Sequence, residues 1–411
     1  MYHRRKGGKQ FLAVSLLLRL AGASGSYDRC DSYCPQYPTE EALRRFRDAI
    51  DNTYAGQEDA VAAISKVLTH NIVANSADAS GGGGATLASR PLLMHFTGPT
   101  GVGKTLMSSL IQDSLFLTNC GVKKIQLEID SKLTSKAGQR ERTDDMKRKV
   151  VQHLERCPRS LIIFDDFQFA PEMMILALRD AFDRTRGEYS ETLSYRNQRV
   201  STSNAIFVFC SDLESEQRHL SVEMTMAEAR KKVSELAGEQ WKNVDQSTAF
   251  GKLFASTGMI PFVPLSDSEL RKVVRIEMSK LTPRVERYLQ FNANNRTVAY
   301  NWLGKVRWNE KRLDPAILAL LGEDIQNYNA RAIRNLVERT LLVHATDISR
   351  CLLRDSTRLS KKGWFYGSTI FLVDDINIDD VDSGQHFTVK IADSVCIGKM
   401  SATSSIQGWE F

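Results

Sequence analysis

The sequence predicts a three-layer α/β fold, with a parallel sheet between layers of helices, then a C-terminal helical lid and a short C-terminal β segment. Three observations predict it. Leu92-Leu93-Met94-His95-Phe96, Ser160-Leu161-Ile162-Ile163-Phe164 and Ala205-Ile206-Phe207-Val208-Phe209-Cys210 are short, nearly continuous apolar runs. Strands of that kind are buried on both faces, as in parallel sheets covered by crossover helices. Stretches with apolar residues at helical spacing lie between the runs, which gives the strand–helix alternation of the α/β class. Each run also delivers polar residues at its C-terminal end, where open α/β sheets carry their ligand sites.

The first run enters Gly98-Pro99-Thr100-Gly101-Val102-Gly103-Lys104-Thr105, which fits G-x-x-x-x-G-K-[ST]. A helical pattern with Leu106, Leu110 and Ile111 on one face leaves it. The glycines let backbone N–H groups close around phosphates, and the helix N-terminus adds positive potential. Lys104 supplies a cation for the β- and γ-phosphates, and the Thr105 hydroxyl is a Mg²⁺ ligand. Gly98 to Thr105 are therefore the expected binding residues for a nucleoside triphosphate, ATP, together with Mg²⁺. A glycine-rich turn without a ligand is the bland alternative, and the strand and helix on its flanks argue against it.

The second run ends in Asp165-Asp166. A buried parallel strand here delivers two carboxylates at its C-terminal end. After a P-loop, the first acid, Asp165, is expected to orient Mg²⁺ and its waters, and Asp166 to polarise the attacking water. The third run ends at Ser211-Asp212, which places another carboxylate at the same rim. Thr105 and Asp165 are the expected metal residues; Asp165, Asp166 and Asp212 are expected to take part in catalysis.

The remaining elements follow in order. Met1 to Tyr27 contains no acid; Arg4, Arg5, Lys6 and Lys9 precede an apolar stretch from Phe11 to Leu18 and then small residues. That layout is a secretory signal peptide over residues 1–26, with an Arg-rich mitochondrial presequence as its rival. Residues 27–90 read as N-terminal helices and a glycine-rich loop. Thr39 to Ile50 is amphipathic through Leu43, Phe46 and Ile50, and Gly56-Gln57 opens a second helix with Val61, Ile64, Leu68 and Ile72 inward. Residues 91–265 form the nucleotide-binding domain, with a strand near Ile125 to Ile129, a helix ending near Leu154 and another from Met173 to Asp183. Residues 266–350 form the lid. Ser266-Asp267-Ser268-Glu269 is a capping box, and Asp314-Pro315 reads as an N-cap followed by proline at the first helical position. A helix from Ala330 to Val343 turns Ile333, Leu336 and Val337 inward, which leaves Arg331 on another face. In the extension 351–411, Thr369 to Val373 and Phe387 to Ile391 read as strands joined by a solvated acidic loop.

Composition sets the outer bounds. The chain of 411 residues is too long for one ordinary core, and 42% hydrophobic with 25% charged residues describes a globular protein. The net charge of +6 is mild and its basic residues are dispersed, so composition gives nucleic-acid binding no support. Of the 7 cysteines, Cys30 and Cys34 follow the presumed cleavage point, while Cys157, Cys210 and Cys351 read as buried thiols. Asn295-Arg296-Thr297 is a glycosylation acceptor, usable in the secretory pathway.

Taken together, the Gly56-Gln57 helix, the P-loop, the acidic strand, Ile260-Pro261-Phe262-Val263-Pro264-Leu265 and Tyr328-Asn329-Ala330-Arg331-Ala332-Ile333-Arg334 resemble the Clp-type AAA+ ATPases, and more particularly the torsins. The resemblance covers Thr39 to Val343. It implies a P-loop NTPase (AAA+) sheet, ATP, a homo-oligomeric ring or helical assembly, and protein clients. It also implies a remodelling role in the endoplasmic reticulum or nuclear envelope lumen; a Clp-type mitochondrial chaperone is the alternative. On the same resemblance Arg331 is the sensor-2 arginine that reaches the γ-phosphate, where torsins carry lysine. Asp166 stands where the family has glutamate, shorter by one carbon–carbon bond, about 1.5 Å. Asp212 stands at sensor 1 in place of an amide or hydroxyl. Ala255 aligns with the arginine-finger position, which torsins also lack and a membrane-anchored activator fills. These departures imply slow hydrolysis, or a nucleotide-gated scaffold that hydrolyses little.

Overall fold

Two helices, α1 (Glu40–Thr53) and α2 (Glu58–Ala79), open the described part of the chain. Ala42, Leu43 and Phe46 are the buried stripe of α1, while Glu41 and Arg44 pair on its exposed side. The turn between the helices places Gly56 and Gln57 at φ of 75° and 60°. Gln57 is buried there, and its amide brackets Val263: Nε2 donates to the Val263 carbonyl at 2.5 Å and Oε1 accepts from the Val263 N–H at 3.1 Å. This ties the N-terminal helices to the chain leaving the sheet.

The computed structural model describes residues 38–79, 91–116, 119–127, 135–182, 192–213, 220–241, 259–284, 301–302, 305–308, 310–338, 364–365, 369–373, 386–387, 390–391 and 404–405. After α2 come β1 (Leu92–Gly98), α3 (Lys104–Leu115), β2 (Val122–Gln126), α4 (Lys136–Arg156), β3 (Leu161–Asp165) and α5 (Glu172–Phe182). A hairpin of β4 (Thr192–Tyr195) and β5 (Gln198–Ser201) follows, then β6 (Ile206–Asp212), α6 (Met226–Gln240) and β7 (Met259–Pro261). The central sheet has five parallel strands in the order β2-β3-β6-β1-β7. Inserting β6 between β1 and β3 brings the ends of three strands together, and that is where the site forms.

Residue alternation divides the core into two faces. Ile162, Phe164, Phe207 and Phe209 pack with Val150 and Leu154 of α4, Leu178 of α5 and Val233 of α6. Leu161, Ile163, Ile206 and Val208 pack with Phe46 of α1, Ile64 and Leu68 of α2, and Met107 and Ile111 of α3. Period-two strands buried on both sides thus give the three layers that the apolar runs predict. The fold is the α/β architecture of a P-loop AAA+ domain.

The lid begins with α7 (Asp267–Ser279), where the predicted capping box is present: Ser266 accepts from the Glu269 N–H and Glu269 accepts from the Ser266 N–H. It continues with α8 (Glu310–Tyr328) and α9 (Ala330–Leu336). Beyond it, Thr369–Val373 pairs antiparallel with Lys390–Ile391 and in parallel with Lys305–Trp308, whereas Phe387, expected in one strand with Ile391, lies in a separate strand, His386–Phe387, that pairs with Ser404–Ser405.

Several local expectations are corrected. Asp314 is not an N-cap: Pro315 lies inside α8, and Asp314 is buried and accepts from Arg275 Nε at 2.7 Å. Leu106 is exposed because the buried stripe of α3 runs through Met107, Ile111 and Leu115. The second strand starts earlier than predicted, since Val122 pairs with Leu161 and the ladder includes Lys123 and Lys124. Cys157 is disulfide-bonded rather than a free thiol, as is Cys120, whereas Cys210 is a buried free thiol as expected. The signal-like segment, Cys30, Cys34, Cys351, Lys252, Ala255, Asn295 and the acidic C-terminal loop lie outside the described residues. No helix among the described residues is long and apolar enough to cross a membrane.

Candidate nucleotide site

The loop from Gly98 to Thr105 joins β1 to α3, as the motif requires. Gly101 and Gly103 take φ of 77° and 104°, which L side chains avoid. Space forbids a side chain as well: a Cβ on Gly101 would overlap the Tyr328 carbonyl oxygen, and one on Gly103 would lie 2.6 Å from Tyr54 Oη. The loop is therefore clasped on one side by the lid and on the other by the turn after α1. Asn329 closes the lid contact, donating from Nδ2 to the Thr100 carbonyl at 3.2 Å.

Lys104 is 5% exposed. Its Nζ donates to the carbonyls of Gly98 at 2.8 Å and Pro99 at 2.5 Å, and pairs with Asp212 Oδ1 at 2.6 Å. The sequence-predicted cation and the Asp212 carboxylate are thus in direct contact. Thr105 Oγ1 donates to Asp165 Oδ1 at 3.1 Å, so the two expected metal residues meet across the loop and the strand end. Asp166 takes the left-handed conformation at φ 57° and accepts from Gln126 Nε2 and, at 3.4 Å, from Gln168 Nε2. Gln168 Oε1 in turn accepts from the Asp212 N–H at 3.0 Å. Burial raises the pKa of the Asp166 carboxyl, and the neighbouring charges of Asp165 and Asp212 raise it further.

One cavity joins these groups to the lid. Arg331 lines it beside Asp165, Asp166 and Asp212, and Arg334, Arg284 and Lys280 stand along the same lid wall. Tyr54, Ala55, Leu265, Val273 and Ile276 give the remaining wall an apolar surface. A cleft with an apolar patch at one end and a glycine cradle with a buried lysine at the other suits a base joined to phosphates. The hydroxyl of Thr105 and the carboxylate of Asp165 are hard oxygen donors suited to Mg²⁺, which binds through one or two carboxylates and substrate phosphates. All of the predicted site residues come together here, Arg331 included.

Sequence reasoning missed Tyr54, Gln57, Lys124, Gln126 and Gln168. For Lys124 and Gln126 the signal exists: polar residues two apart on a strand share a face, here the face carrying Asp165. Gly56-Gln57 reads from sequence only as a helix start; the hold of Gln57 on Val263 and of Tyr54 on the loop is visible only in the tertiary contacts.

No family model matches the chain. It is similar to the chaperone protein ClpB of Chlamydia caviae, 23% identical over 330 residues, which cover 76% of this chain and 33% of that protein. It is 23% identical over 331 residues to ClpB of Chlamydia pneumoniae, with the same shares of 76% and 33%. The ATP-binding subunit ClpC of the ATP-dependent Clp protease of Staphylococcus saprophyticus is 24% identical over 258 residues, 60% of this chain and 29% of ClpC. The chain spans about a third of the length of the curated relatives it matches. This weak similarity supports the Clp AAA+ group and agrees with the parallel sheet and P-loop.

Proposed function

We propose that the chain is a Clp-type AAA+ ATPase that binds ATP with Mg²⁺ between sheet and lid and hydrolyses it slowly. The observation that carries this reading is the meeting of Thr105 with Asp165 at 3.1 Å beside a Lys104 enclosed by the loop. Thr105 and Asp165 would hold the metal, which when bound neutralises charge on the phosphoryl oxygens. Lys104 exchanges its Asp212 partner for phosphate oxygens. Asp166, oriented by Gln126 and Gln168, polarises the attacking water from a shorter stem than glutamate offers, and Arg331 approaches from the lid. A misplacement of about 1 Å costs on the order of a hundredfold in rate. Asp212 adds negative charge where it develops on the γ-phosphoryl group, so turnover by the isolated chain is slow.

In its finer form the proposal is a torsin-like protein. It works as a homo-oligomer on protein clients in the lumen of the endoplasmic reticulum or nuclear envelope, with a membrane-anchored activator supplying the arginine that Ala255 does not. The disulfide-bonded state of Cys120 and Cys157 supports an oxidising compartment. A second reading, a nucleotide-gated scaffold, is favoured by the Lys104–Asp212 pair and by Asp166. Steady-state turnover of the purified chain, with and without luminal membrane extract, separates them. The ATPase reading expects slow hydrolysis that the extract accelerates and that Asp166→Glu raises by itself. Fast, concentration-dependent hydrolysis without extract contradicts the activator, and no hydrolysis under any condition favours the scaffold.

A further inference from the structure

A cation already stands at the carboxylate that the P-loop reading gives to Mg²⁺. Lys124 Nζ lies 2.7 Å from Asp165 Oδ2, while Asp165 Oδ1 accepts from Thr105. The placement follows from register. Lys124 pairs with Ile163 and Gln126 with Asp165, so both polar side chains share the face on which Asp165 projects. Gln126 takes Asp166 and Lys124 takes Asp165. The Lys124 side chain is 45% exposed and that of Asp165 only 8%, so the ammonium caps the acid from the solvent side.

We propose that Lys124 is a tethered counter-ion that competes with Mg²⁺ for Asp165 and sets the Mg²⁺ concentration at which nucleotide binds. The inference rests on the ATP-site reading above. A dication approaching Thr105 and Asp165 meets an ammonium on one of its two carboxylate oxygens, and like charges at that range repel. The flexible, half-exposed lysine stem lets the ammonium withdraw into water as the metal enters. Lys104 cannot play this part, because two carbonyls and Asp212 hold it inside the loop. Without metal, Lys124 has the opposite effect. It offsets one of the three carboxylates, Asp165, Asp166 and Asp212, that would otherwise repel incoming phosphates.

The test is a titration of a fluorescent ATP analogue onto the full chain, from excess EDTA through millimolar Mg²⁺, for wild type, Lys124→Met and Lys124→Arg. Lys124→Met should lower the half-saturating Mg²⁺ by roughly threefold to tenfold and weaken metal-free binding by a similar factor. Lys124→Arg, which keeps the charge, should stay near wild type. A lysine with only a structural role would weaken both in parallel, and that result overturns the proposal. An unchanged Mg²⁺ requirement in Lys124→Met also overturns it and leaves the ATP site standing. If wild type binds no analogue at any Mg²⁺ concentration, the ATP site and the proposal fall together.

Discussion

The sheet wall of the cleft and Arg331 on its lid wall hold their charges in different ways. On the sheet wall each cation is already matched: Lys104 with Asp212 at 2.6 Å and Lys124 with Asp165 at 2.7 Å. On the lid wall Lys280, Arg284 and Arg334 are likewise matched, with Glu277 and Glu338, whereas Arg331 is exposed, lines the same cavity and acts on Asp166 only through its charge, without a salt bridge among the described residues. The difference teaches what nucleotide binding has to do. Phosphates entering along the sheet must displace direct ion pairs, while Arg331 has only a longer-range attraction to Asp166 to give up. The sheet wall therefore sets selectivity for a bound metal and phosphate chain, and the lid wall adds affinity.

Two substitutions break or sharpen that contrast. Arg331→Ala removes the cation that makes no salt bridge and should weaken ATP binding by about tenfold, read by calorimetry, with little change in thermal stability. A loss of stability without a loss of affinity would put Arg331 in the lid's packing instead. The smaller effect runs the other way. Asp212→Asn releases Lys104 and removes one negative charge, so ATP affinity should rise by roughly threefold to fivefold. Asp212 is 35% exposed, so solvent screening keeps that gain small.

The same contrast explains how much of the molecule was legible in the sequence. The sheet wall was legible because a buried parallel strand has one geometry. Leu92–Gly98 and Leu161–Asp165 deliver Gly98, Lys104, Thr105 and Asp165 to one rim whatever surrounds them. Arg331 was placed only through resemblance, since a helix alone cannot say which wall its outer face meets. Asp314-Pro315 misled because its local chemistry is that of a helix start, yet the carboxylate is used for a tertiary pair with Arg275. Lys124 escaped because the apolar alternation Ile125, Leu127, Ile129 drew the predicted strand towards the C-terminus. Residue pairing with β3 moves it back over Lys123 and Lys124. The disulfide-bonded states of Cys120 and Cys157 escaped because bonding depends on which thiols the fold brings together, and sequence spacing does not reveal that.

The central claim is that Gly98 to Thr105 bind ATP through a lysine enclosed by the loop. Equilibrium titration of Mg²⁺–ATP onto the purified full chain and onto Lys104→Ala tests it most directly, with thermal unfolding of both as the control for folding. The account predicts saturable binding to wild type and a loss beyond about a hundredfold in Lys104→Ala, the cost of removing a cation aimed at two phosphates. Unchanged affinity in a folded Lys104→Ala protein would contradict it.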